Sequence, residues 1–209
     1  MEDAMDERIQ RTMAAFEKNN IKPYFAETRE QLYDIVRELV KNDRLITAGG
    51  SVTLEESGVK ALLMNEYKGI YLDRSEGKTP EEVEDILHKA FVSDSFFASS
   101  NAVTEDGELY NVDGRGNRVS AMIYGPKQVV LVVGTNKIVR DMDEAVKRVE
   151  QVAAPKNTQR LHSGTPCETM GNCAHCRSKG RICCSYVRMG QQRVPDRIKV
   201  IIVNESLGY

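Results

Sequence analysis

Residues 127–135 read KQVVLVVGT, with five consecutive apolar positions from Val129 to Val133 closed by Gly134. Side chains alternate between the two faces of a strand, so an unbroken apolar run must be covered on both. That is the pattern of an interior strand in a parallel sheet with helices packed on either side. The closing glycine marks the carboxyl end of the strand, where open α/β sheets bind their ligands.

The flanking sequence alternates in keeping with this. After the run, a helix is predicted over about Asp141–Ala154, and RIKVIIVN, at about 197–204, reads as a last strand. Before it, NRVSAMIYG (117–125) has helical spacing, and SFFASSNAVTEDGELYNVDG (95–114) reads as a strand followed by a hairpin turning at Asp106-Gly107. Pro80 opens a helix at its favoured first-turn position, GIYLD (69–73) is a strand, and RLITAGG (44–50) is a strand ending in a glycine turn. SVTLEESG (51–58) begins a helix and Ala61–Asn65 is a second helical piece. Thr28 caps a helix running to about Lys41, with Gln31 completing a capping box and Leu32, Ile35, Val36, Leu39 and Val40 on one face. KPYFA (22–26) is a short extended piece, and a first helix spans about Ala4–Lys18 with Ile9, Met13 and Phe16 at helical spacing. The order predicts an α/β fold: a mostly parallel sheet flanked by helices, Rossmann-like, in one domain over 1–209.

Composition narrows the function classes. A net charge of −2 and a pI near 6.0 give no overall electrostatic case for nucleic acid. Tryptophan is absent and aromatics are sparse, so a base-stacking platform is not expected. No apolar run reaches membrane-spanning length, and the acidic N-terminal MEDAMDER does not read as a secretory signal. The expected location is the cytoplasm.

Four glycine-containing polar segments fall at predicted strand ends: TAGGSVT, SSNAVTEDG, NVDGRGNR and VGTNKIV. Together they nominate one ligand crevice. Gly50, Ser51 and Thr53 would face Asn101, Thr104, Asp113, Asn117 and Arg118, with Asn136 and Lys137 closing it. Arg118 and Lys137 would supply positive charge for a carboxylate or phosphate, and the Gly49-Gly50 amides an anion nest. The alternative for each segment is an ordinary turn, with Ser51 as a helix cap and Lys137 solvated. The charged stretch DRSEGKTPEEVED (73–85) reads as a solvated face.

All five cysteines lie in CETMGNCAHCRSKGRICC, residues 167–184. A CxxC with further cysteines nearby is the layout that gathers thiolates around a soft metal or an iron–sulfur cluster. An odd count argues against a disulfide framework. Spacing does not separate zinc from iron–sulfur. His175, inside the CxxC, could replace one sulfur, and the adjacent Cys183 and Cys184 leave room for one ligand between them. A redox dithiol at Cys173 and Cys176 and a set of inert thiols are the competing readings.

Taken in order, GGSVTLEESG, SSNAVTEDGELYNVDGRGNRVSAMIYGP, QVVLVVGTNKIVRDMDEA and IIVNESLGY resemble the lactate utilisation (LUD) domain family, encoded in bacterial L-lactate oxidation operons. The resemblance spans nearly the whole chain. It implies a fold similar to the ribose-5-phosphate isomerase and CoA-transferase kind. The similar subgroup carries a segment of the form C…GCxxC…RIC, which here makes Cys167, Cys173, Cys176 and Cys183 the expected metal ligands, in a loop at about 163–188. The ferredoxin-type repeats of the larger family component are missing from this chain. The resemblance implies a component of an iron–sulfur oxidoreductase system that converts L-lactate to pyruvate, acting with other lactate utilisation subunits on a small anionic metabolite. The alternative is a stand-alone small-molecule-binding protein, or an acyl-CoA or sugar-phosphate enzyme, with the cysteines as a structural zinc staple. CoA-transferase chemistry needs a nucleophilic glutamate, for which Glu105 is the candidate.

Overall fold

The structure, a computed structural model, describes residues 6–209. The expected helix start at Ala4 therefore lies outside the described residues. Helix α1 (Glu7–Lys18) is capped by Asp6, whose carboxylate accepts from the Arg8 amide at 2.8 Å.

The strands in chain order are β1 (Lys22–Ala26), β2 (Ile46–Ala48), β3 (Tyr71–Leu72), β4 (Ser95–Ala98) and β5 (Ala102–Thr104). They continue with β6 (Leu109–Asp113), β7 (Gln128–Gly134), β8 (Ile138–Val139), β9 (Ser185–Met189) and β10 (Ile198–Val203). Six of them form one sheet in the order β1-β10-β7-β4-β2-β3, parallel throughout. The run at 127–135 is its interior strand, flanked by β10 and β4. Its side chains divide with period two. Val129, Leu131 and Val133 join the cluster under α1, with Phe16, Phe96 and Val200. Val130 and Val132 face the opposite side, against Leu32 and Val36 of α2 (Arg29–Val40) and Leu54 of α3 (Val52–Glu56). Leu63 of α4 (Val59–Glu66) completes that layer. The remaining helix of this half, α5 (Pro80–Lys89), is capped by Thr79 with Pro80 in its first turn.

Helix α2 starts as expected, with Thr28 accepting from the Gln31 amide, but Gln31 reaches back to the Glu27 amide at 2.8 Å instead of the cap residue's own. A second sheet, β8-β5-β6-β9, has mixed directions, with β5 parallel to β8 and β6 antiparallel to both neighbours. The expected hairpin is β5–β6. Gly107 turns it at φ +75°, and a Cβ there would come 2.5 Å from the Ala15 backbone of α1, so the turn needs glycine both conformationally and sterically. Val103 and Leu109 of this sheet share the cluster beneath α1 with the large sheet.

Two elements differ from the sequence prediction. The helix expected to end at Ala154 runs as α7 (Met142–Arg148), widens into a π turn at Val149–Ala153, and continues as α8 (Ala154–Leu161). The Ala154 amide donates five residues back to Val149 O. Proline breaks a regular helix interior because it lacks an amide hydrogen and crowds the preceding turn, whereas the π turn places Pro155 at the start of α8. The cysteine loop is also not all loop. It holds α9 (Pro166–Met170), and its end forms β9, which pairs with β6 from Leu109↔Met189 to Asp113↔Ser185. Helix α6 (Asn117–Ile123) follows β6.

Candidate functional site

The carboxyl ends of β2, β4 and β7 open on a cavity of about 300 Å³. Each strand end leads into a segment that lines it: Gly50, Ser51 and Thr53 after β2, Ser99 and Asn101 after β4, and Lys137 after β7. Asp113, Asn117 and Arg118, where β6 passes into α6, add a second wall, and Asn157 and Arg160 of α8 with Tyr209 a third. Gly50 permits a close approach here. A Cβ on it would stand 2.4 Å from Nη2 of Arg74, so a larger residue would push that guanidinium aside.

Arg118 is the anchor of the floor. Its Nη1 donates to Ser99 O and to Asn111 Oδ1 at 3.0 and 2.7 Å, its Nη2 donates to Val112 O and Asn101 Oδ1 at 3.0 and 3.2 Å, and Nε stands 3.4 Å from Asp113 Oδ2. Burial pushes its pKa down, partly offset by Asp113. Asn101 also accepts from the Val112 amide, so it locks the β5–β6 sheet to this arginine. Lys137 is buried at 3% exposure, and its Nζ donates to Thr53 Oγ1 at 2.7 Å and Ser99 Oγ at 2.9 Å. Burial, reinforced by Arg148 and Arg118 and opposed by Glu56, lowers its pKa to about 7. Arg148 donates to Asn101 O at 2.6 Å and is itself lowered to about 10 by burial.

The cavity therefore carries five basic side chains, Arg74, Arg115, Arg118, Lys137 and Arg160, against one acid, Asp113. Arg115 is drawn off by Glu84 at 2.6 Å. Among the described residues, Arg160 bonds only neutral groups, donating to Asn157 Oδ1 and the Tyr209 hydroxyl. The Arg74 side chain has no hydrogen-bond or ion-pair partner among the described residues. Unneutralised guanidiniums around a concave, partly desolvated space favour an anion.

Of the residues nominated from sequence, Gly50, Ser51, Thr53, Asn101, Asp113, Asn117, Arg118 and Lys137 line this one cavity. Thr104 and Asn136 do not. Thr104 Oγ1 accepts from the Glu108 amide inside the β5–β6 turn. Asn136 holds the segment after β10, accepting from the Leu207 amide and donating to Gly208 O. Nor do the two glycine amides form a nest, because the Gly49 amide donates to Phe97 O within the sheet. Ser51 caps α3 through the Leu54 amide. Glu105 lies off the cavity and is held by Arg8 and Arg11 of α1. Burial lowers the pKa of Lys137, expected to lend positive charge, to about 7, and the guanidiniums without a carboxylate partner among the described residues are Arg74 and Arg160. Neither is legible in the sequence: Arg74 sits in a stretch whose charge pattern predicts a solvated face, and Arg160 lies beyond Pro155, past the predicted helix end.

Arg181 ties two of the cysteines together, donating from Nε to Cys183 O at 2.7 Å and from Nη1 to Cys176 O. Cys167 is buried, its sulfur 3.3 Å from Thr165 Oγ1 and 3.5 Å from Thr158 Oγ1. Burial pushes the Cys183 thiol up to about 11, and charge on Cys173, Cys167 and Cys176 pushes it in the same direction. Those four are the nominated set. Cys184 is exposed, its thiol directed to Arg181 O at 3.5 Å. His175 stands 3.7 Å from Glu150. Among the described residues, no group of three or more His, Cys, Asp or Glu side chains is arranged to hold a metal ion.

Fold and site define an α/β protein with a wholly parallel six-stranded sheet and a basic cavity at the strand ends. Residues 9–203 match the LUD domain family, and the chain belongs to that family, which is associated broadly with lactate utilisation. A DUF162 family protein from Deinococcus radiodurans has a similar fold at 14% identity, covering 96% of this chain and 98% of that one with a TM-score of 0.57. Ribose 5-phosphate isomerase A from Methanocaldococcus jannaschii is a weak neighbour at 18% identity, covering 79% of this chain and 68% of that one with a TM-score of 0.26. No curated protein matches the chain. Among the described residues, no helix is long and apolar enough to cross a membrane.

Proposed function

We propose that this chain is a cytoplasmic component of a lactate utilisation system that binds a small anionic metabolite in the basic cavity and works with other subunits of that system. The observation that carries this reading is the uncompensated charge of Arg74 and Arg160 at a small cavity on the strand ends. The four thiols Cys167, Cys173, Cys176 and Cys183 would hold a zinc ion or an iron–sulfur cluster, the former as a staple for the loop and the latter as an electron carrier. Support for this part comes from the donor chemistry of four cysteines gathered within one short segment.

Titration calorimetry with lactate, pyruvate and inorganic phosphate tests the first part. Saturable binding that weakens about tenfold in Arg74→Ala, the loss expected for one charge-assisted contact, is the expected result. Absence of saturable binding for all three anions would overturn it.

A further inference from the structure

Lys137 differs from Arg74 and Arg160, the other cavity cations without a carboxylate partner among the described residues, in being buried, at 3% exposure. Its Nζ has two partners, the hydroxyls of Thr53 at 2.7 Å and Ser99 at 2.9 Å, and no carboxylate within ion-pair distance among the described residues. An ammonium has three donors to satisfy, whereas a neutral amine has two and a lone pair. With two hydroxyls bonded, one position on Nζ is left over, a third N–H in the ammonium and the lone pair in the neutral amine. That position has no protein partner among the described residues, on a side chain that lines the cavity.

We infer that Lys137 is a nucleophilic amine that condenses with the carbonyl of a small oxo carboxylate bound in the cavity, forming an imine. This inference rests on the proposed anion site and names the class of anion. The groups around the amine agree with it. Arg118 on α6 and Arg148 on α7 face Lys137 and disfavour its charge, Glu56 at the end of α3 opposes them, and desolvation exceeds all three, leaving the pKa at about 7. A buried lysine beside other cations is the arrangement that keeps an amine unprotonated for carbonyl attack. The same arrangement selects the ligand. Arg118, whose donors are all held by protein groups, lends only its field to a carboxylate next to the carbonyl, and direct contacts to the anion come from the rim arginines Arg74 and Arg160.

The step balances without an oxidant or reductant. The nitrogen lone pair attacks the carbonyl carbon, the C=O π pair moves to oxygen, and one nitrogen-bound proton transfers to that oxygen to give a carbinolamine. The C–O bond then breaks, the second nitrogen-bound proton leaves with the oxygen as water, and the C=N bond forms. The hydroxyls of Thr53 and Ser99 touch Nζ and are placed to pass these protons.

The test traps the imine in the full chain with pyruvate and sodium borohydride, followed by peptide mapping by mass spectrometry. One stoichiometric reduced adduct on Lys137 is expected. Its formation rate should rise through pH about 7, whereas surface lysines become reactive only near ~10.4. Lys137→Arg should abolish the adduct, and if that variant does not fold, the pH profile of the unaltered chain decides. Pyruvate binding is measured in parallel by calorimetry without borohydride. Saturable binding with no adduct, or with adducts spread over surface lysines, overturns the imine and leaves the anion site standing. Absence of both adduct and pyruvate binding overturns the imine, and the anion site falls with it where lactate and phosphate also fail to bind.

Discussion

Arg160 donates from Nε to the Tyr209 hydroxyl at 2.8 Å, joining α8 to the segment that follows β10 at the cavity wall. The same hydroxyl donates to Asn157 Oδ1 at 2.8 Å, so one phenol bridges two residues of α8. The contact exists because the helix continues through its π turn and past Pro155. A double-mutant cycle of Arg160→Ala and Tyr209→Phe, read by urea denaturation, should return a coupling of about 0.5–1 kcal/mol, as for a partly solvated hydrogen bond. Additive effects would show that the bridge is not formed in solution. Arg160→Ala should also weaken pyruvate binding with little change in melting temperature.

Stability should depend on pH through Lys137. Its folded pKa, about 7, lies below that of an unfolded lysine, ~10.4, so between these values the unfolded chain binds the proton and the folded one does not. The slope of stability with pH is then positive. The cost of burying the charge is full below pH 7 and disappears above ~10.4. Lys137→Met removes this contribution, so the rise in urea midpoint from pH 7 to 10 should flatten in the variant. A difference between the two proteins that stays constant with pH would contradict the burial argument.

Metal content should separate the cysteines. After anaerobic purification, iron with acid-labile sulfide and a broad visible band identifies a cluster, and colourless protein with stoichiometric zinc identifies a staple. Cys176→Ala should release the metal, and Cys184→Ala, which alters an exposed thiol bonded only to Arg181 O, should retain it. Full metal content in the Cys176 variant would remove that residue from the ligand set.

The sheet makes the strongest demand on stability. Leu131 is fully buried on β7 between β10 and β4, and Leu131→Ala should cost about 2–5 kcal/mol, lowering the urea midpoint at unchanged slope. A chain ending before Arg197 loses β10, which lies between β1 and β7, and so uncovers unpaired backbone on both. Such edges with apolar faces aggregate. A soluble truncated chain that melts cooperatively would refute the central placement of β10.

The features legible in the sequence are those written over a few residues. KQVVLVVGT announces a strand buried on both faces through its unbroken apolar run, and Thr28 and Pro80 announce helix starts through capping chemistry. Asp106-Gly107 announces its turn through a backbone conformation glycine favours. Strand β9 was hidden because its alternation is short, half-solvated and embedded among cysteines, and it becomes a strand only by pairing with β6. The site divides along the same line. Glycine, serine and asparagine at strand ends mark where a crevice lies, so most of its lining could be named in advance. Which charges it offers depends on contacts between residues far apart in the chain. Thr53 meets Lys137 across 84 positions, and that meeting buries the lysine and lowers its affinity for a proton. Arg74 and Arg160 reach the rim because strand order and a π turn bring them there. Local periodicity and capping act within a few residues, but desolvation and charge pairing belong to neighbours that only the assembled fold supplies.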